Sequence, residues 1–326
     1  YPITMINKDR LNGFLLIIIS VIFTFFLCEI ILRIKHSIIP NYDIEMWKYA
    51  KELKISVSDK SIGHIHRPNK SGIFQKVEIS TNGYGQRDIE YDNHFLKKYN
   101  KRFLVIGSSI PLGWGVKKED TYVNLLNLQS QKNKKNWIFI NGGVGNYNLE
   151  RYANNYLKNW SKLDFTDIII NYFVNDAEVL ENKKTNFFIK HTHLGVVFWK
   201  LFNSFKSSLK KRNLDQYYKK IYEDDFEGFI LLKKELNKLN NHCINNNIKC
   251  HLINTPDIHQ LKPYKLKFIN NKIYKLTNDI DMDYLDLLPI FENLDEMLLW
   301  NKYKDPHPNN YAHKLISNKI FQYLNK

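Results

Sequence analysis

Residues 103–115 read FLVIGSSIPLGWG. An apolar, β-branched run from Phe103 to Ile106 ends abruptly in Gly107-Ser108-Ser109, and Gly113 and Gly115 follow within a few residues. A short run of this kind bounded by glycine reads as a buried strand feeding a tight turn. A serine just past a strand end can present its hydroxyl to a crevice with its own N–H pointing inward. Gly-Ser turns are also ordinary connectors, so the reading of Ser109 depends on its surroundings.

Further strands are read at WIFIN (137–141), DIIINYF (167–173), KCHLIN (249–254) and MDYLDL (282–287). Helical spacing fills the intervals at TYVNLLNLQSQ, LERYANNYLKNW, FILLKKELNKLNNHC and YKLKFINNKIYKL, and closes the chain at NNYAHKLISNKIFQYL. Strand and helix in alternation predict an α/β domain, a three-layer α/β/α sandwich on a mainly five-stranded parallel sheet. Ligands of such sheets sit outside the carboxyl ends of the strands.

Three more segments bear on chemistry. Asn141-Gly142-Gly143-Val144-Gly145-Asn146-Tyr147 follows the second strand and suits a loop that aims N–H groups into the crevice. It lacks either glycine-rich phosphate pattern, so an oxyanion donor is the better functional reading, beside a plain glycine turn. Asn175, in Phe173-Val174-Asn175-Asp176 after the third strand, can donate its amide to an oxyanion, or Asn175 or Asp176 can cap a helix. Asp305-Pro306-His307-Pro308-Asn309 precedes the last helix, in the loop after the last strand. There His307 can act as general base with Asp305 orienting its ring, and Pro308 would hold the loop near the helix start.

In their order, these four blocks resemble the SGNH (GDSL-like) hydrolases, over roughly residues 100 to 326. The family carries a G-D-S turn, a glycine loop, a G-x-N-D and a D-x-x-H or D-x-H-P-N before the last helix. Gly63 to Asn69 and Asn82-Gly83-Tyr84-Gly85-Gln86-Arg87-Asp88 also resemble the lead-in of its membrane-anchored bacterial members. The resemblance implies a flavodoxin-like SGNH fold and a catalytic set of Ser109, His307 and Asp305. It implies an oxyanion hole of Ser109, Asn146 and Asn175, with Gly145 as the other residue its alignment allows, and no cofactor or metal. Ser108 stands where the family has Asp, which removes a carboxylate that helps hold the turn but leaves the nucleophile. The implied function is a serine ester hydrolase, an esterase or deacetylase working through an acyl-serine on an acylated cell-envelope glycan or lipid. An O-acyltransferase of envelope polysaccharide would use the same residues. A catalytically inactive glycan-binding module is the reading from another class.

Upstream, Gly13 to Leu32 (GFLLIIISVIFTFFLCEIIL) is twenty residues with one charge, Glu29. At about 1.5 Å per residue it spans roughly the 30 Å of a bilayer core. A cleaved signal peptide is the alternative, but the run exceeds a usual h-region, and no small-residue cleavage site follows. Charges flank it evenly, Lys8 and Arg10 against Arg33 and Lys35, so the charge rule does not orient it. Resemblance to anchored members places the domain outside the cytoplasm. The expected organisation is a tail at 1–12, a transmembrane helix at 13–32 and a juxtamembrane helix with an extended lead-in at 33–100. The catalytic domain then runs over 101–326, with a helical insertion near 177–226. In that insertion Leu194, Phe198, Leu201, Phe202, Phe205 and Leu209 keep helical spacing beside Lys200, Lys206, Lys210, Lys211 and Arg212. It is read as a helix packed on the domain, or else as a lid or membrane-contacting helix.

A chain of 326 residues with 44% hydrophobic content suits one large domain plus accessories. Its net charge of +15 is spread along the whole length and no nucleic-acid motif accompanies it, which excludes nucleic acid as the partner. Such a surface suits an anionic bilayer or an acidic polymer. Nothing in the sequence sets an oligomeric state. Cys28, Cys243 and Cys250 have no metal spacing, and the last two are read as buried small hydrophobes, not a disulfide.

Overall fold

The computed structural model describes residues 8–181, 187–209, 214–302 and 305–326. The chain forms two compact units, Tyr1–Lys48 with Lys183–Lys211, and Tyr49–Asn182 with Arg212–Lys326.

In the first unit a helix runs over Lys8–Ile38, and its stretch Arg10–Ile38 is long and apolar enough to cross a membrane. Its apolar side chains from Leu11 to Ile34 are largely exposed. Glu29 interrupts the apolar surface and is fully engaged. It pairs with Arg33 at 2.8 Å and accepts the N–H groups of His193 and Leu194 at 3.0 and 2.9 Å. Those donors open the helix His193–Leu209, whose first N–H groups have no partner inside the helix and so suit a carboxylate. The Phe198 ring sits 6.4 Å from that of Phe25. The insertion helix thus packs on the N-terminal helix. Phe198, Trp199, Leu201, Phe202 and Phe205 stay more than half exposed. The basic residues Lys210, Lys211 and Arg212 lie outside the described residues.

The second unit is built on five parallel strands: β1 (Lys101–Gly107), β2 (Trp137–Gly143), β3 (Asp167–Tyr172), β4 (Lys249–Asn254) and β5 (Asp283–Asp286). Their spatial order is β2-β1-β3-β4-β5, the doubly wound arrangement anticipated from the alternation. Side chains alternate between faces, as a pleated strand requires. Leu104, Ile106, Ile140, Ile168, Ile170 and Leu252 meet the helices Leu149–Asn155, Glu227–Asn245 and Lys267–Asp279 on one face. Phe103, Val105, Phe139, Ile169 and Ile253 meet Tyr122–Lys132 and Asn310–Leu324 on the other. The order reverses between β1 and β3, the switch point at which ligands of such sheets sit outside the carboxyl ends.

Two features depart from the sequence reading. Cys243 and Cys250 are joined as a disulfide, with Cα atoms 6.3 Å apart. The turn through Asn246 folds the last turn of helix Glu227–Asn245 against the first residues of β4, so a separation of seven residues becomes a contact. The Asp305 motif also lies on a strand, Asp305–Pro308, paired with Trp300–Lys302. Pro308 precedes the helix, and Asn309 caps it by accepting the Ala312 N–H at 3.0 Å.

The lead-in holds the sheet's upper edge. Arg87, 1% exposed, donates Nη1 to the carbonyls of Leu112 and Gly113 at 2.7 and 2.9 Å. Its Nη2 reaches those of Glu78 and Val116 at 2.8 and 3.0 Å. Asp88 accepts the Asn141 N–H in β2 at 2.7 Å. Replacing Arg87 with Met should strand these buried carbonyls and cost on the order of 3 kcal/mol. A urea titration read by tryptophan fluorescence checks this, and an unchanged midpoint would contradict it.

Candidate active site

Ser109 begins a four-residue helix, Ser109–Leu112, two residues beyond the end of β1. Its Oγ lies 2.9 Å from His307 Nε2, and His307 Nδ1 lies 2.7 Å from Asp305 Oδ1. A carboxylate only accepts, so Nδ1 carries the proton and Nε2 is left to accept from the serine hydroxyl. Asp305 is 3% exposed and also takes the His307 N–H at 3.3 Å and the Asn301 amide at 3.3 Å. The Trp114 ring stands 6.4 Å from the imidazole.

Strand register brings the remaining residues to the same edge. Gly107, the last residue of β1, pairs with Gly143 of β2 and with Asn171 of β3. Asn146 follows β2 by three residues and Asn175 follows β3 by three. Gly143 must be glycine because a Cβ there would lie 2.3 Å from the Leu112 backbone nitrogen. Asn146 is left-handed at φ 64°, a conformation Asn tolerates, and neither its N–H nor that of Ser109 has a hydrogen-bond partner among the described residues.

The alternatives that the sequence left at Gly145 and Asn146, and at Asn175 and Asp176, differ in their hydrogen bonds. Gly145 donates its N–H to Tyr49 Oη at 2.9 Å, which leaves the next N–H, on Asn146, as the unengaged one. In the turn Val174–Ala177 it is Asp176, not Asn175, that accepts the Phe173 N–H, at 3.0 Å, and it also receives the Tyr152 hydroxyl at 2.8 Å. The Asn175 side chain makes no hydrogen bond among the described residues, and its Oδ1 is buried without a partner. Ser108 is buried and caps nothing.

Sequence reading missed the residues that surround these. Tyr49, Lys54 and His64, all from the lead-in, converge on Gly145, and His66 bonds Tyr49 behind them; the signals were the close spacing of the two histidines and the Gly63 to Asn69 stretch that holds them. A second D-x-H, Asp257-Ile258-His259, follows β4. His259 is bonded to Asp257, which raises its pKa, and its ring lies 6.5 Å from Trp300 on the strand pair that carries His307.

No cluster of metal-ligating side chains occurs among the described residues. No family model and no curated protein matches the sequence. Solved structures with a similar chain trace include TesA, at 12% identity and TM-score 0.45 over 69% of this chain and 98% of that one. Esterase EstA from Pseudoalteromonas sp. is similar at 14% and 0.43, over 70% and 100%. A catalytic mutant of Axe2, an acetylxylan esterase from Geobacillus stearothermophilus, is similar at 11% and 0.46, over 69% and 94%.

Burial pushes the Asp176 carboxyl up to about 8, against the two hydrogen bonds it accepts. The unfolded value is near 3.9, so between the two the folded chain holds a proton that the unfolded chain has released. Stability from this group therefore falls as pH rises through that window. Asp176→Asn removes the effect, and its melting temperature should gain on wild type from pH 5 to pH 8. A constant gap would show that Asp176 is ionised in the fold.

Proposed function

We propose that the chain is a membrane-anchored serine ester hydrolase of the SGNH type, acting on an acylated cell-envelope glycan or lipid. The observation that carries this reading is the unbroken chain of hydrogen bonds from Ser109 Oγ through His307 to the buried Asp305. In the first step Ser109 Oγ bonds to the acyl carbon while its proton passes to His307 Nε2. The carbonyl π pair moves onto oxygen, where the N–H groups of Ser109 and Asn146 and the Asn175 amide receive it. Asp305 steadies the imidazolium. The intermediate then collapses, the C–O bond to the alcohol breaks, and His307 returns the proton to the leaving oxygen. Water repeats the sequence on the acyl-serine and frees the acid. A sugar hydroxyl in place of water would make the same chemistry a transfer.

The anchor part of the reading rests on the helix Lys8–Ile38 and on the exposed aromatic face of His193–Leu209 packed against it. In this reading the domain lies outside the cytoplasm, where envelope glycans are found. A C-terminal reporter active only in the cytoplasm would overturn that orientation.

Full-length protein in detergent should hydrolyse p-nitrophenyl acetate and be labelled by a fluorophosphonate. Ser109→Ala should abolish labelling and lower turnover by at least about 10³-fold. Asn175→Ala should lower it by about 10²- to 10³-fold and keep labelling, at a slower rate. Acetyl appearing on an added oligosaccharide would assign the protein to transfer. A folded wild type that neither turns over nor labels would sink the reading in favour of a glycan-binding module.

A further inference from the structure

The peptide unit between Gly145 and Asn146 is engaged from the lead-in side to an extent no simple turn requires. Lys54 Nζ donates to the Gly145 carbonyl at 2.6 Å, and His64 Nε2 lies 3.2 Å from the same oxygen. Tyr49 Oη receives the Gly145 N–H. Tautomers follow from the partners. His66 Nδ1 lies 2.9 Å from the Gly85 carbonyl, which only accepts, so Nε2 is free to accept from the Tyr49 hydroxyl at 2.5 Å. His64 Nδ1 faces the Arg151 guanidinium at 3.4 Å, which only donates, so the His64 proton sits on Nε2 and points at Gly145. Lys54 is buried, and among the described residues no carboxylate lies within ion-pair distance of it. Its ammonium instead sits 4.5 Å from the centre of the Tyr49 ring.

A buried ammonium without a counter-charge is a poor means of satisfying one carbonyl, because a neutral donor does so without the desolvation cost. A charge does something more. Drawing electron density toward the carbonyl oxygen makes the N–H of the same amide a stronger donor. That N–H belongs to Asn146. We infer that Lys54 is a positioning residue for the ester chemistry proposed above, polarising the Gly145–Asn146 peptide so that Asn146 N–H binds the developing oxyanion more strongly. This rests on the reading of Asn146 as an oxyanion donor.

The titratable and charged groups around Lys54 are Tyr49 from the preceding helix, His64 and His66 from their strand, and Arg151 from helix Leu149–Asn155. Burial holds His66 near 3 and His64 near 2, so both are neutral at working pH. Burial, then the charge of Arg151, draws Lys54 down to about 7. The polarised state is therefore complete below that pH and lost above it.

The test compares the full-length wild type with Lys54→Met and Lys54→Gln in detergent, with p-nitrophenyl acetate as substrate. Both variants should lower kcat about 10-fold and change KM by less than about 2-fold, since a charge-assisted bond is roughly twice as strong as a neutral one. Wild-type turnover should fall across an alkaline limb near pH 7 that both variants lack. The melting temperature of Lys54→Met should hold or rise, because an unpaired buried charge has gone. In Asn-labelled protein the Asn146 amide resonance should titrate in wild type and stay fixed in Lys54→Met. Turnover retained within about 2-fold, or lost together with melting temperature, would overturn the inference. A wild type inert to ester and fluorophosphonate would defeat the hydrolase reading instead. In that case an Asn146 resonance that titrates still places a polarised anion donor here, and one that does not removes it.

Discussion

The register of β1 between its two neighbours sets Gly107 opposite both Gly143 and Asn171, so three strands end at one level and every connection leaving them begins beside the same crevice. Ser109, Asn146 and Asn175 each sit two or three residues past those ends. A slip of one residue in either pairing would turn a strand's side chains to the opposite face and bury apolar atoms against the wrong helices. The packing of Leu104, Ile106 and Ile170 on one side and Phe103, Val105 and Ile169 on the other forbids it. The core thereby positions groups that lie outside the core.

That coupling explains what could be read in the sequence. Strand and helix follow local rules of period and propensity, so the five strands and their helices are visible in runs such as FLVI and DIIINYF. Ser109, Asp305 and His307 were legible as candidates because they fall just past the first strand and just before the last helix. Tyr49, Lys54 and Arg87 were not, because they act across 25 to 96 residues of chain and no periodicity marks a side chain that reaches a distant carbonyl. The Cys243–Cys250 bond escaped for a related reason. Its spacing is set by where a helix ends and the next strand begins, and sequence reading locates those boundaries least well.

Buried cations in the second unit share an unusual task. Arg87 and Lys54 both bond backbone carbonyls, Leu112 and Gly113 in one case and Gly145 in the other. Burial lowers the guanidinium of Arg87 to about 10 and the ammonium of Lys54 to about 7, so each charge is held against a desolvation cost. The carbonyls they hold belong to the two loops that carry Ser109 and Asn146. That desolvation is met at the loops whose backbone position matters most to the candidate site.

Ser108 shows how one loop can be held by different means. A carboxylate in that place would bond the turn locally, whereas the Ser108 side chain caps nothing. The turn is fixed from outside. Arg87 binds the carbonyls of Leu112, Gly113 and Val116, and the Asn141 amide donates to the Pro111 carbonyl at 2.6 Å. Asn141 Oδ1 in turn accepts the Gly143 N–H at 3.0 Å, which ties the Ser109 turn to the glycine loop. Two buried side chains, Arg87 and Asn141, thus hold four backbone acceptors of the turn and the loop that follows it. The lead-in is therefore part of the site it precedes, and a chain cut back to the first strand would keep Ser109 and lose what holds it.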